Sequence, residues 1–373
     1  MITGQNRHRV EPGQFHRQPS VTHQLLLTAM LVGALGGSTT VDAQTESAKP
    51  AFGKAVLPLE ISASRGIVTR DPSSIVHCKS NYWVFYTGRG VPSYHSKDLE
   101  KWESGPAVFN APPAWIASVV PENRNLQYWA PDVIKLGDRY LLYYSVSSMG
   151  KMTSAIGLAT NPTLDPDDPT YHWTDQGFVV RTQDGDGYNA IDPAIFHDSD
   201  GSLWMTFGSY WTGIKLIQLD PRTGKRIAPD SKMSSLAYNE SIEASYLCRH
   251  EDYYYLFVNW GSCCQGPKST YNIRIGRSKT VTGPYQDKVG VDLLQRGGSL
   301  FLATTNGPLI GPGHAGTLIT QGKTWFTSDF EGDLRMGGKA TLAIMPLRWT
   351  GEGWPEATVH DLHGGKPATP ATK

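Results

Sequence analysis

The chain has no excess of charge. Its 373 residues include 34 lysines and arginines against 34 aspartates and glutamates. A nucleic-acid or anionic-membrane partner selects for a basic surface, and none is signalled. Cysteine is scarce: Cys78, Cys248 and the adjacent pair Cys263 and Cys264. Four so placed make no disulfide framework, and without a Cys-x-x-Cys pair there is no zinc signature. In an oxidising compartment the adjacent pair is either a strained vicinal disulfide or two thiols packed in a loop. No stretch of about 20 apolar residues marks a membrane helix, and no sustained helical period is seen.

What is plentiful points one way. Aromatic residues make up 10% of the chain, with 39 glycines and 25 prolines. That composition suits a turn-rich β protein, and an all-β domain can run well past the usual ~150 residues. At the N-terminus Arg7, Arg9 and Arg17 precede the short apolar run "LLLTAMLVGALGG" at 25–37, followed by "VDAQ". This order predicts a signal peptide over 1–43 and an exported protein. Residues 44–60 then form a linker, 61–358 a catalytic domain, and 359–373, ending "KPATPATK", a disordered tail.

One layout recurs along the domain: a polar leader, a short apolar run, a polar turn, then an aromatic-rich strand. The copies are "RDPSSIVHCKSNYWVFYTG", "APDVIKLGDRYLLYYSV", "DPAIFHDSDGSLWMTFGSY", "IEASYLCRHEDYYYLFVNWG" and "GHAGTLITQGKTWFTSDF". Their leaders are Asp71, Asp132, Asp192, Glu243 and His314, spaced by 61, 60, 51 and 71 residues. Each copy reads as a β-hairpin. A repeat of this length holds a four-stranded antiparallel sheet, and five such sheets predict an all-β five-bladed propeller. Each leader then starts an innermost strand near one mouth of the central channel, so residues remote in sequence converge. Carboxylates gathered in one place repel and raise one another's pKa. That suits glycoside hydrolysis, which pairs a protonated acid with an ionised carboxylate. Aromatic rings such as Trp129, Tyr188, Tyr210 and Trp211 can stack on sugar faces. Trp129, directly ahead of its inner strand, is the one most clearly placed to do so.

Residues from about 65 to 355 resemble glycoside hydrolase family 43, and within it the endo-α-1,5-L-arabinanases. The similarity lies in "RDPSSI", "WAPDVIKLGDRYLLYYSVS", "NAIDPAIF", "FGSYWTGIKLIQLDP", "IEASYL", "GSCCQGPKSTYNIRIGRS" and "GPGH", in that order. The resemblance implies Asp71 as general base, Glu243 as general acid, and Asp192 as the carboxylate that orients the acid and keeps it protonated. It implies sugar contacts from Trp129, Asn189 and Ser209. It also implies one calcium ion in the channel beside His314, held largely through water, and no organic cofactor. The substrate is then arabinan from pectin side chains, cleaved internally with inversion by a monomer without nucleic-acid or membrane partners.

The chain departs from the family pattern in places. Arg70 replaces the histidine common before the base. "EASY" follows the acid where Gly-Pro or Ala-Pro is common, and "FTSDFEGDLRMGG" replaces an aromatic-His-Tyr-Tyr stretch. "DGDGYN" at 184–189 begins like a calcium loop but lacks its later ligands, so it reads as a turn carrying Asn189 to the groove. Asp132 reads as a structural acid beneath Trp129. An exo-acting arabinofuranosidase or β-xylosidase is the nearest alternative. A non-catalytic sugar-binding propeller would lack a catalytic carboxylate, and none is missing. Retaining fructan hydrolases carry Asn-Asp-Pro and Glu-Cys elements absent here.

Overall fold

A computed structural model of the chain describes residues 67–357. The expected signal peptide, linker and tail lie outside the described residues. The domain is built of five antiparallel sheets, each running in sequence order from its innermost strand outward, and these are the five blades expected. Their innermost strands are Val76–Cys78, Gln127–Leu136, Ala194–His197, Ile242–His250 and Leu309–Thr320. Four sheets have four strands; the second has five. Its extra member is Gly88–Arg89, which leaves the first blade and pairs with Tyr128 and Gln127.

The second strand of each blade explains the aromatic runs. In the second blade, Leu141 and Tyr143 pack toward the third blade, while Tyr140, Leu142 and Tyr144 pack toward the first. In the fourth, Leu256 and Val258 face the third blade, and Tyr255 and Phe257 face the fifth. Successive side chains of a strand point to opposite faces. A strand buried on both faces therefore reads as one continuous apolar run, as "YLLYYSV" and "YYYLFV" do. Among the described residues the buried apolar side chains form five clusters, one for each junction between neighbouring blades.

The ring is closed between the fifth blade and the first. Ile67, Ile75, Tyr82 and Val84 pack against Leu318, Leu342 and Ile344. Thr69 N–H donates to the Ala340 carbonyl at 3.2 Å, and Leu342 N–H donates to the Ile67 carbonyl at 3.4 Å. The start of the described chain thus lies along strand Lys339–Trp349, whose other end pairs with Pro355–Ala357.

Candidate active site

Each blade has a backbone irregularity just ahead of its innermost strand or within it. Asp71, Ala130, Asp192, Ala244 and His314 all have positive φ, between 37° and 57°. Residues with a Cβ seldom adopt this conformation, and each costs of order 1–3 kcal/mol. In three blades a register shift accompanies it: between Trp129 and Asp132, Glu243 and Tyr246, and Gly313 and Gly316. Bulges of this kind re-aim side chains next to active sites. They also correct the repeat alignment. The structural counterparts of Asp71 are Ala130 and Ala244, not Asp132 and Glu243. Asp132 instead ties three blades together, accepting from Ser74 N–H at 2.9 Å and Ile195 N–H at 2.7 Å. That is the structural role read from the sequence.

The irregularities bring Asp71, Asp192, Glu243 and His314 onto one cavity of about 890 Å³, with Trp129 and Asn189 on its wall. Thr87 Oγ1 donates to Asp71 Oδ2 at 2.5 Å and accepts the Ala130 N–H at 2.7 Å. His314 Nδ1 lies 3.4 Å from Asp71 Oδ1, an ion-pair contact and not an aligned hydrogen bond. Burial alone would raise the Asp71 pKa. The contacts from His314, Thr87 and Arg70 outweigh it and hold this carboxyl below its usual range. Burial would likewise lower His314, but Asp71 beside it lifts the imidazole to about 9.

Glu243 is in the opposite state. Ser209 Oγ donates to its Oε2 at 2.7 Å, and the Tyr271 hydroxyl donates to Oε1. Burial nevertheless raises its pKa, with the Asp71 charge adding to the rise. Asp192 is anchored through its backbone N–H, which donates to Ser145 Oγ at 2.9 Å, and its Oδ2 accepts the Ala244 N–H at 3.3 Å. Burial first, then the charge of Glu243, pushes Asp192 up as well. Two neighbouring buried carboxyls cannot both ionise freely. The pair therefore holds a proton at a pH where an isolated carboxyl has lost it.

Other residues singled out from the sequence take definite positions. Asn189 Oδ1 accepts from Ser154 Oγ at 2.6 Å, which fixes its amide at the cavity wall. Residues 184–188 form a turn, in which Gln183 N–H donates to Asp186 Oδ2 at 3.0 Å. Cys263 and Cys264 are free thiols, and the Cys264 N–H donates to Glu331 Oε2 at 2.9 Å. Arg70 pairs with the same Glu331 at 3.1 Å. Tyr271, Thr87, Asp329 and Glu331 carry no role in the sequence reading. Tyr271 stands within the "STYNIRIGRS" motif, but nothing local marks it as the partner of an acid in another strand.

The family model of Glycosyl hydrolases family 43 matches residues 67–355. The chain belongs to this family. Among its family-43 relatives, the extracellular exo-α-(1→5)-L-arabinofuranosidase ArbA of Cellvibrio japonicus is 40% identical over 75% of this chain and 84% of that protein. The extracellular endo-α-(1→5)-L-arabinanase 1 of Bacillus subtilis is 39% identical over 76% of this chain and 86% of that protein. The solved structure of Cellvibrio cellulosa α-L-arabinanase superimposes with a TM-score of 0.75 at 38% identity, covering 80% of this chain and 97% of that one. The family-43 assignment and the five-bladed fold agree with the reading of the sequence.

The cation implied beside His314 can be tested against the residues present. His314 gives it one imidazole nitrogen at most, since Nδ1 already faces Asp71. Calcium prefers oxygen ligands, so such an ion would depend on water for its remaining positions. The oxygen-rich place among the described residues is the group Asp71, Asp329 and Glu331.

Proposed function

We propose that this chain is an inverting endo-α-1,5-L-arabinanase that hydrolyses internal bonds of linear arabinan. The observation that carries the reading is the meeting of three carboxyls from three blades on one aromatic-walled cavity, in a chain 39% identical to a named endo-arabinanase. In this mechanism Asp71 is the general base. Its depressed pKa keeps it ionised, ready to take a proton from the attacking water. Glu243 is the general acid and gives its proton to the glycosidic oxygen as the anomeric C–O bond breaks. Asp192 is the neighbouring carboxyl with which Glu243 shares a buried proton, and it fixes the acid's strand through Ala244. Trp129 offers a stacking face to the sugar, Asn189 a held amide, and Ser209 orients the acid. Export accompanies this reading, supported by the extracellular names of both relatives, and we take the enzyme to act as a monomer.

Exo action is the second reading, because the relative with 40% identity carries an exo-acting name. Size-resolved products from linear arabinan separate the two. A ladder of oligomers is expected in the first minutes, and arabinose alone would overturn endo action. Proton NMR of the first-formed anomer is expected to show inversion. Asp71→Ala and Glu243→Ala should each lose about 10²–10⁴-fold in kcat, the usual worth of a general acid or base. A near-wild-type rate in either variant removes that residue from the mechanism.

A further inference from the structure

We propose that the hollow at the junction of the fourth and fifth blades, on the face away from the catalytic cavity, is a second site that binds the carboxylate groups of an acidic polysaccharide. The hollow has a volume of about 520 Å³, within the range of pockets that take small ligands. Tyr253, Arg277, Lys279 and Lys288 come to it from the fourth blade, and Trp354 comes from just ahead of Pro355–Ala357 of the fifth. Glu243 stands near the start of strand Ile242–His250, whereas Tyr253 follows the turn at its end. The seven residues from Glu243 to His250, at ~3.3 Å each, put the two ends roughly 20 Å apart.

The cations are held by aromatic rings and not by acids. The Arg277 guanidinium lies 4.5 Å from the ring centre of Tyr253 and 4.4 Å from that of Trp354. Lys279 Nζ lies 4.9 Å from the Tyr253 centre, and Lys288 Nζ 5.7 Å from that of Trp354. A ring face attracts a cation without neutralising it. Arg277 Nη1 also donates to the Glu352 carbonyl at 2.8 Å, which fixes the group further. None of the ion pairs among the described residues includes Arg277, Lys279 or Lys288. The acid on the wall, Asp287, is committed to the backbone. Its Oδ1 accepts from the Val289 and Val291 N–H groups at 3.0 and 2.9 Å, and its Oδ2 accepts from Gly298 N–H at 3.0 Å. The hollow thus gathers three fixed positive charges in a chain that has no net charge.

A planar guanidinium matches a carboxylate through two parallel N–H bonds, and ammonium groups add point charges. Three cations across one hollow suit more than one carboxylate, as a run of acidic sugars carries. Gln286, exposed on the wall, offers an amide to sugar hydroxyls. Trp354 is buried and leaves no open ring for a base to stack on, as single-stranded nucleic acid would use. Arabinan is neutral, but pectin also carries polymers of uronic acid. The choice of polymer rests on the arabinan reading; the anion site itself does not. A site on the far face can hold the acidic polymer while the cavity works on a neutral side chain, which raises the effective concentration of substrate.

The test titrates the full chain calorimetrically with oligomers of 1,4-linked galacturonic acid at low ionic strength. Saturable binding is expected, and it should weaken as salt is added. Lys279→Gln and Lys288→Gln should each weaken it by about two- to fivefold, and Lys279→Glu with Lys288→Glu by about tenfold or more. Lys97→Glu with Lys101→Glu, the same charge change on exposed residues of the first blade, should leave binding as it is. Initial rates on a short neutral arabino-oligosaccharide should be unchanged in all of these variants. No binding at millimolar oligouronate overturns the site, as does wild-type affinity in the doubly reversed Lys279 and Lys288 variant. An equal loss in the Lys97 and Lys101 control also overturns it, by reducing the effect to net charge. Full displacement by inorganic phosphate at equal concentration would make this a site for small free anions and overturn the polysaccharide. If oligouronate binds as expected while arabinan is not hydrolysed, the site stands and the arabinan reading falls.

Discussion

At the scale of single residues, the acid and base differ through their neighbours. Asp71 sits among cations and a hydroxyl donor, whereas Glu243 is buried beside other carboxyls. Tyr271 is the contact that most restrains the acid, since its donated hydrogen bond favours the ionised form of Glu243. Tyr271→Phe removes that restraint and should raise the Glu243 pKa further. An acid must be protonated to act, so the basic limb of the kcat/KM profile is expected to move to higher pH. A pH–rate series on a synthetic arabinoside checks this; an unmoved limb would show that Tyr271 only fills space. The carboxyls were legible in the sequence because each opens a recognisable hairpin. Tyr271, Thr87, Asp329 and Glu331 were not. Thr87 and Tyr271 lie just outside strands of the same blade as the carboxyl they touch, and Asp329 and Glu331 come from the fifth blade to Asp71 of the first.

At the scale of elements, the hairpins are written plainly and their registers are not. The repeat alignment chose Asp132 and Glu243 as leaders because both are charged. The backbone places the turned residue at Ala130 and Ala244. An inserted bulge residue leaves no mark in an apolar–polar pattern, so the mismatch of one or two residues could not be seen. The added strand Gly88–Arg89 was missed for a related reason: two residues carry no period at all. Close approach between strands is easier to predict once the neighbours are known. A Cβ on Gly157 would meet the Tyr144 ring at 2.4 Å, and that ring is fully buried in the junction of the first and second blades. Gly157→Ala should destabilise by about 1–3 kcal/mol through overpacking. Urea unfolding measures it, and a shift below a few tenths of a kcal/mol would mean that the tyrosine moves aside freely.

At the scale of the whole molecule, stability is spread over five similar junctions, and the one that closes the ring is made by the first described residues. Ile67 is 8% exposed and packs with Leu342 and Ile344. Ile67→Ala should lower stability by about 2–3 kcal/mol, at the low end for such a truncation because Ile67 retains some exposure. Ile156→Ala, between the second and third blades, should lie toward the upper end, near 4–5 kcal/mol. A single cooperative transition is expected in both variants by calorimetry, since no blade covers its own faces. The incoming segment at Ile67–Thr69 and the outgoing strand Pro355–Ala357 lie along the same strand of the fifth blade, about five residues apart in register. A ring sealed in this way has a seam but no true first blade. Its described ends can be joined by a linker of about eight residues, which spans the gap of roughly 17 Å. New ends can then be opened at the exposed turn of residues 184–186. Such a circular permutant should still assemble the cavity, because the order in which the blades are translated is separable from the order in which they meet.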